Sequence, residues 1–182
     1  MSESVEARRH LLITGRPGVG KTTLVRHLAE RLAPWVAGFY TLEVRDAAGY
    51  RVGFEIVTLE GEHRMLAHVD FHTPHRVSRY GVDIRAMDIA VSAMERGLAD
   101  PNISVLIVDE IARMELFSQA FVRALEQALA SPKHLIATLQ KSAHPVIERI
   151  RARPDAELWE LTPANRSEMR ARLLERVSSA SR

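Results

Sequence analysis

The sequence predicts an α/β fold: a mainly parallel sheet with helices on both faces and an antiparallel hairpin inserted after the first unit. Three observations carry this. Short apolar runs, "HLLITG", "SVLIV" and "KHLIATL", are each followed by a stretch whose apolar residues recur at helical spacing. Between Trp35 and His68 the period drops to two and turn residues intervene, as in paired antiparallel strands. No linker, repeat or low-complexity segment divides the chain, so residues 1–182 are expected to form one domain, with 35–68 as the inserted hairpin region.

The elements follow in order. "HLLITG" reads as a buried strand closed by glycine, and Leu24, Val25, Leu28 and Leu32 predict a helix over 21–33 that stops before Pro34. "GFYTLEVR" and "YRVGFEIVTL", joined by "DAAG", predict two or three antiparallel strands. Residues 69–82 show no period and read as a loop. Asp83 is placed to cap a helix with the stripe Ile84, Met87, Val91, Met94 and Leu98. "VLIVD" is the next strand, ending in two acids, and Ser118 caps a helix bearing Phe121, Val122, Leu125 and Leu129. "KHLIATLQ" is a strand, "HPVIERIRA" a helix opening at its proline, and "AELWELT" a last strand. Thr162-Pro163 then predicts a capped terminal helix with Pro at its first position.

Composition narrows the class. With 182 residues, 46% hydrophobic and 26% charged, the chain has the make-up of a water-soluble globular domain. No apolar run approaches the ~18 residues of a membrane span. "MSESVEARRH" lacks the apolar core of a signal peptide, and residues 1–9 are expected to be disordered. Zero cysteines exclude disulfides and thiolate chemistry and fit a cytoplasmic location. The net charge of +2 is small and the arginines are scattered, so solubilising helix faces explain them better than a nucleic-acid surface. A monomer is the expected state.

Between the first strand and helix lies "GRPGVGKTT", which matches G-x-x-x-x-G-K-S/T through Gly15, Gly20, Lys21 and Thr22. Glycines let successive backbone N–H groups turn inward onto phosphate oxygens, and Gly18 adds freedom mid-loop. The helix start supplies free donors and partial positive charge. Lys21 is suited to the β- and γ-phosphates, the Thr22 hydroxyl to Mg²⁺, and Thr23 to the α-phosphate.

Such a loop requires an acid for the metal at the end of a neighbouring buried strand, and Asp109 has that form. Glu110 beside it is suited to positioning a water for attack on the γ-phosphorus. The expected nucleotide-binding set is thus Gly15, Arg16, Pro17, Gly18, Val19, Gly20, Lys21, Thr22 and Thr23 with Val108, Asp109 and Glu110. The metal pair is Thr22 and Asp109; Glu110, Lys21 and Arg113 are the catalytic candidates. Arg113 either neutralises the transferring oxygens or pairs with Glu110, and "MELF" after it reads as packing.

"ITGRPGVGKTTL", "GFYTLEVRD", "GYRVGFEIVTLEG", "RYGVD", "VDEIARMELFS" and "ELTPANR", in this order, resemble the small P-loop nucleoside-triphosphatases known from thermophiles, a family that also includes the human cancer-related nucleoside-triphosphatase. The resemblance runs from about residue 10 to 175. It implies a RecA-like P-loop NTPase fold and Mg²⁺-dependent hydrolysis of nucleoside 5′-triphosphates to diphosphate and phosphate, with broad base tolerance. Ala112-Arg113 stands where the family has Gly-Lys, and Leu42 where an acid is usual.

Weaker signals remain. Arg76 and Arg79 lie in "RVSRYGVD", where an arginine finger or surface ion pairs would each fit. His68, Asp70, His72 and His75 crowd together without regular spacing and read as solvated loop residues. Thr138 and Gln140, at the end of "KHLIATLQ", are placed to sense a γ-phosphate or simply to end the strand. Asn165 and Arg166 are read as capping and packing residues, with an approach to the base as the alternative. Two rival activities fit the loop: a P-loop kinase using Arg149, Arg151 and Arg153 as a lid, and an ATP-gated module acting on nucleic acid or protein.

Overall fold

The structure, a computed structural model, describes residues 9–180, with side chains to residue 176. Residues 1–8 of the expected disordered N-terminus lie outside that range. The elements in order are β1 (His10–Gly15), α1 (Lys21–Leu32), β2 (Val36–Arg45), β3 (Arg51–Thr58), β4 (His63–His68), β5 (Arg76–Val77) and β6 (Tyr80–Val82). A short 3-10 turn, Ile84–Ala86, leads into α2 (Met87–Ala99), followed by β7 (Val105–Ile111). A second, Glu115–Phe117, precedes α3 (Gln119–Ala130), β8 (His134–Leu139), α4 (Pro145–Arg151), β9 (Ala156–Leu161) and α5 (Arg166–Ala180).

All nine strands join one sheet in the order β5-β6-β4-β3-β2-β7-β8-β1-β9. The ladders β2·β7, β7·β8, β8·β1 and β1·β9 are parallel. The ladders β2·β3, β3·β4, β4·β6 and β6·β5 are antiparallel. The sheet is therefore evenly mixed rather than mainly parallel. The reason is β2: Val36 to Tyr40 pair with Val105 to Asp109, so the first strand of the expected insertion is a member of the main sheet. The antiparallel half grows from its other edge and continues past residue 68.

Residues 69–82, expected as a loop, hold β5 and β6. Strands of two and three residues are too short to display a period. What orders them is burial: Tyr80 packs edge-on against Phe54 at 5.2 Å, and Val82 N–H donates to the His75 carbonyl at 2.8 Å.

Period-2 alternation decides which side chains meet which helices. Leu11, Ile13, Val105, Ile107 and Ile136 face one side and pack with Val25, Leu28 and Leu173 of α1 and α5. Leu12, Leu106, Val108, Leu135 and Ala137 face the other, against α2, α3 and α4. Both faces are buried, which is why these strands read as continuous apolar runs. Phe39 of β2 meets Phe121 of α3 edge-to-face at 5.8 Å and 76°, a pair worth roughly 0.5–1.5 kcal/mol beyond its buried area.

Two caps fall where the sequence places them. Asp83 accepts from Arg85 N–H, and Ser118 accepts from Phe121 N–H. The terminal helix differs: α5 starts at Arg166, and Thr162 is not its cap. Asn165 instead accepts from Thr162 N–H at 2.8 Å and donates to the Glu160 carbonyl at 2.8 Å, making a turn that delays the helix.

Candidate active site

β1, β7 and β8 run parallel, so their carboxyl ends open at one edge of the sheet, where the glycine-rich turn also lies. Gly15 ends β1 in close contact with its neighbour. A Cβ there would stand 2.6 Å from the Leu161 carbonyl oxygen. Arg16, Pro17 and Gly18 are exposed, while Val19 is buried beneath them and donates its N–H to the Arg16 carbonyl at 3.2 Å. Gly20, at φ 103°, turns the chain into α1 through a left-handed conformation that side chains disfavour. The first N–H groups of α1 then have no carbonyl behind them and face the turn.

Lys21 folds back over this concavity. Its Nζ donates to the Gly15 carbonyl at 3.2 Å and lies 3.6 Å from Glu110 Oε1. Glu110 thus takes its cation from Lys21, not from Arg113, whose side chain points out to solvent while its backbone N–H donates to Gln140 Oε1 at 3.1 Å. The strand also continues through Glu110 to Ile111, which pairs with Leu139 across an irregularity. The carboxylate pair therefore sits inside β7 rather than at its end.

Asp109 is 1% exposed and is held from both sides by hydroxyls. Thr22 Oγ1 donates to Oδ2 at 2.7 Å and Thr138 Oγ1 to Oδ1 at 2.5 Å. Burial pushes its pKa up, while the two hydroxyls and nearby Lys21 pull it down. Burial likewise raises Glu110, with Lys21 opposing and Asp109 reinforcing the rise. A hydroxyl and a carboxylate, both hard oxygen donors, meet at a helix start. That set fits Mg²⁺, which takes one or two protein oxygens and completes its shell with water and phosphate.

One residue of the site escaped the sequence reading. Glu115, expected as packing, is a buried carboxyl with Oε2 unpartnered, pushed up to about 8 by burial and by the facing Glu110 and Asp109. The signal lay in the acid's position between Met114 and Leu116, an apolar context that a solvated glutamate avoids.

Other candidates lie elsewhere. Arg76 donates to the Phe71 and Arg79 carbonyls, and Arg79 to the Arg51 carbonyl and the Tyr80 hydroxyl. They stand at the β5 edge of the sheet, seven places from β1, and are not brought to the turn. His68 pairs with Asp70 at 3.5 Å, and the His75 ring lies tilted against Phe117 with centroids 5.0 Å apart. Among the described residues no three His, Asp or Glu converge to hold a metal ion. Arg149 pairs with Glu126, Arg151 with Glu148 and Arg153 with Asp155. Arg166 lies over the turn, its Nε 3.9 Å from where a Gly20 Cβ would be.

The α/β sheet thus sets a glycine-rich turn and helix start against a buried, hydroxyl-held aspartate. The family model described as NTPase matches residues 10–174, and the chain belongs to that family. It is similar to the nucleoside-triphosphatase THEP1 of Thermotoga petrophila, 44% identical over 165 residues, covering 90% of each chain. The crystal structure of THEP1 from the hyperthermophile Aquifex aeolicus superimposes with a TM-score of 0.83 at 38% identity, covering 91% of this chain and 97% of that one. The solution structure of a human cancer-related nucleoside triphosphatase gives 0.80 at 36% identity, covering 94% and 98%. As a member of this family the chain is an NTPase.

Proposed function

We propose that this chain is a RecA-like P-loop enzyme that hydrolyses nucleoside 5′-triphosphates to diphosphate and phosphate with Mg²⁺, across several bases. The observation that carries this is the approach of Lys21 to Glu110, 3.6 Å, between the residues that adjoin the Thr22–Asp109 contact in the chain. It supports a reading of Lys21 as the phosphate-binding cation, Glu110 as the carboxylate base, and Thr22 with Asp109 as the metal-binding pair.

In this reading the turn's N–H groups and Lys21 hold the phosphate oxygens. Thr22 and Asp109 would hold Mg²⁺, which would supply neutralisation of the phosphate charge. When phosphate enters, Lys21 turns from Gly15 and Glu110 toward it, and Glu110 is released to accept a proton from the attacking water. A raised pKa makes Glu110 a better proton acceptor than a solvated carboxylate. The hydrogen bond from Thr138 favours the ionised form of Asp109 against burial and fixes its carboxylate. The three lid arginines of the kinase alternative are occupied in local ion pairs, which favours transfer to water.

The test is release of inorganic phosphate from ATP, GTP, CTP and UTP with Mg²⁺ and no added acceptor. Release from all four, abolished by EDTA and by Lys21→Ala, is the expected result. Phosphate that appears only as a labelled product on an added hydroxyl acceptor would replace hydrolysis with kinase activity.

A further inference from the structure

The two ladders that flank β7 both pass over Glu110. The ladder with β2 ends where Tyr40 pairs with Asp109, and the ladder with β8 steps from Val108 to Ile111 across an irregularity. Neither register includes Glu110. A residue whose carboxylate must stand within hydrogen-bond reach of a water is therefore placed by the chain on either side of it.

We infer that Gln140 is a positioning residue for Glu110: it clamps residues 111–113 and so holds the carboxylate where an attacking water can meet it, an inference that rests on the hydrolase reading above. Gln140 uses main chain and side chain together. Its N–H donates to the Ile111 carbonyl at 3.3 Å, and its Oε1 accepts from the Arg113 N–H at 3.1 Å. On the other side of Glu110, Thr138, two residues before Gln140, donates to Asp109 at 2.5 Å. The end of β8 thus grips the chain both before and after Glu110.

Gln140 is itself anchored. Its carbonyl accepts from Arg151 Nη2 at 2.8 Å, and Arg151 Nη1 pairs with Glu148 at 2.9 Å, so α4 backs the clamp. The other atom of its amide, Nε2, is buried and has no partner among the described residues. A buried donor left unpaired costs stability, so what this side chain contributes lies in Oε1 and its hold on Arg113. The same enclosure leaves the amide no free group for a phosphate at the turn. Small displacements matter at this point, because a misplacement of about 1 Å at a reacting group can cost roughly a hundredfold in rate.

The test combines kinetics with hydrogen exchange on the full chain. Gln140→Met keeps the size and removes the oxygen, so kcat for ATP should fall about tenfold. KM should stay within about threefold of the wild type, the pattern of a contribution made in the transition state alone. Gln140→Glu keeps an oxygen for Arg113 and breaks no bond of Nε2, which has none, so it should return kcat to within about threefold of the wild type. Exchange of the Arg113 amide, followed by NMR, should quicken about tenfold in the Met variant and keep the wild-type rate in the Glu variant. If the Met variant does not fold, Gln140→Asn, whose amide is too short to reach Arg113, should show the same loss. Unchanged kcat in the Met variant, an equal loss in the Glu variant, or a rise in KM alone would overturn the assignment. A protected Arg113 amide that Gln140→Met exposes, on a wild-type chain that releases no phosphate, would uphold the clamp while removing the hydrolase reading.

Discussion

Thr22 donates its hydroxyl to Asp109 across 2.7 Å, joining the start of α1 to β7. The bond unites two segments 87 residues apart in sequence, and Thr138 completes the grip from β8 at 2.5 Å. Burial pushes the Asp109 pKa up, and these two donors oppose that rise.

Removing either hydroxyl should have separable effects. Thr138 is fully buried, so Thr138→Val leaves a carboxylate oxygen without its donor and should lower stability by about 1–3 kcal/mol in urea unfolding. Thr22 is half-buried and is one of the two residues proposed to hold Mg²⁺. Thr22→Val should cost less stability but raise the Mg²⁺ concentration needed for half-maximal hydrolysis by about tenfold.

Lys21→Ala should weaken binding of Mg-triphosphate about 10- to 100-fold, the worth of one or two charged hydrogen bonds, measured by equilibrium titration. Little stability should be lost, because the Lys21 contacts seen here are to one carbonyl and to half-buried Glu110.

Gly15→Ala places a Cβ 2.6 Å from the Leu161 carbonyl and 2.9 Å from Val19 Cγ1. Backbone does not yield cheaply, so the substitution should destabilise by about 1–3 kcal/mol and displace the turn from β9. Thermal unfolding and KM for ATP together measure both consequences.

Glu115 predicts a pH dependence. Its folded pKa, about 8, lies above the ordinary 4.5, so the folded state holds the proton more tightly than the unfolded chain. Its contribution to stability is full below 4.5 and is lost as pH rises through 8. Glu115→Gln keeps the shape and removes the titration. Its melting temperature, compared with wild type without nucleotide, should gain progressively between those pH values.

Much of this was legible in the sequence because it rests on local chemistry. The turn from Gly15 to Thr22 carries its own spacing, and the apolar runs of β1, β7 and β8 announce strands buried on both faces. Asp83 and Ser118 needed only their own neighbours to act as caps. What was hidden depends on partners distant in sequence. β2 joins the parallel ladder only because Val105–Asp109 arrives 69 residues later, beside Val36–Tyr40. β5 and β6 are too short to show a period, and Glu115 becomes a titrating group only through burial beside Glu110 and Asp109.

Glu110 is the proposed proton acceptor, and a Glu110→Gln variant tests that role most directly. Amide for carboxylate keeps size and removes the base. The variant should bind Mg-ATP within about threefold of wild type yet release phosphate at least about a hundredfold more slowly in single-turnover assays. Phosphate release at the wild-type rate would contradict the role assigned to Glu110.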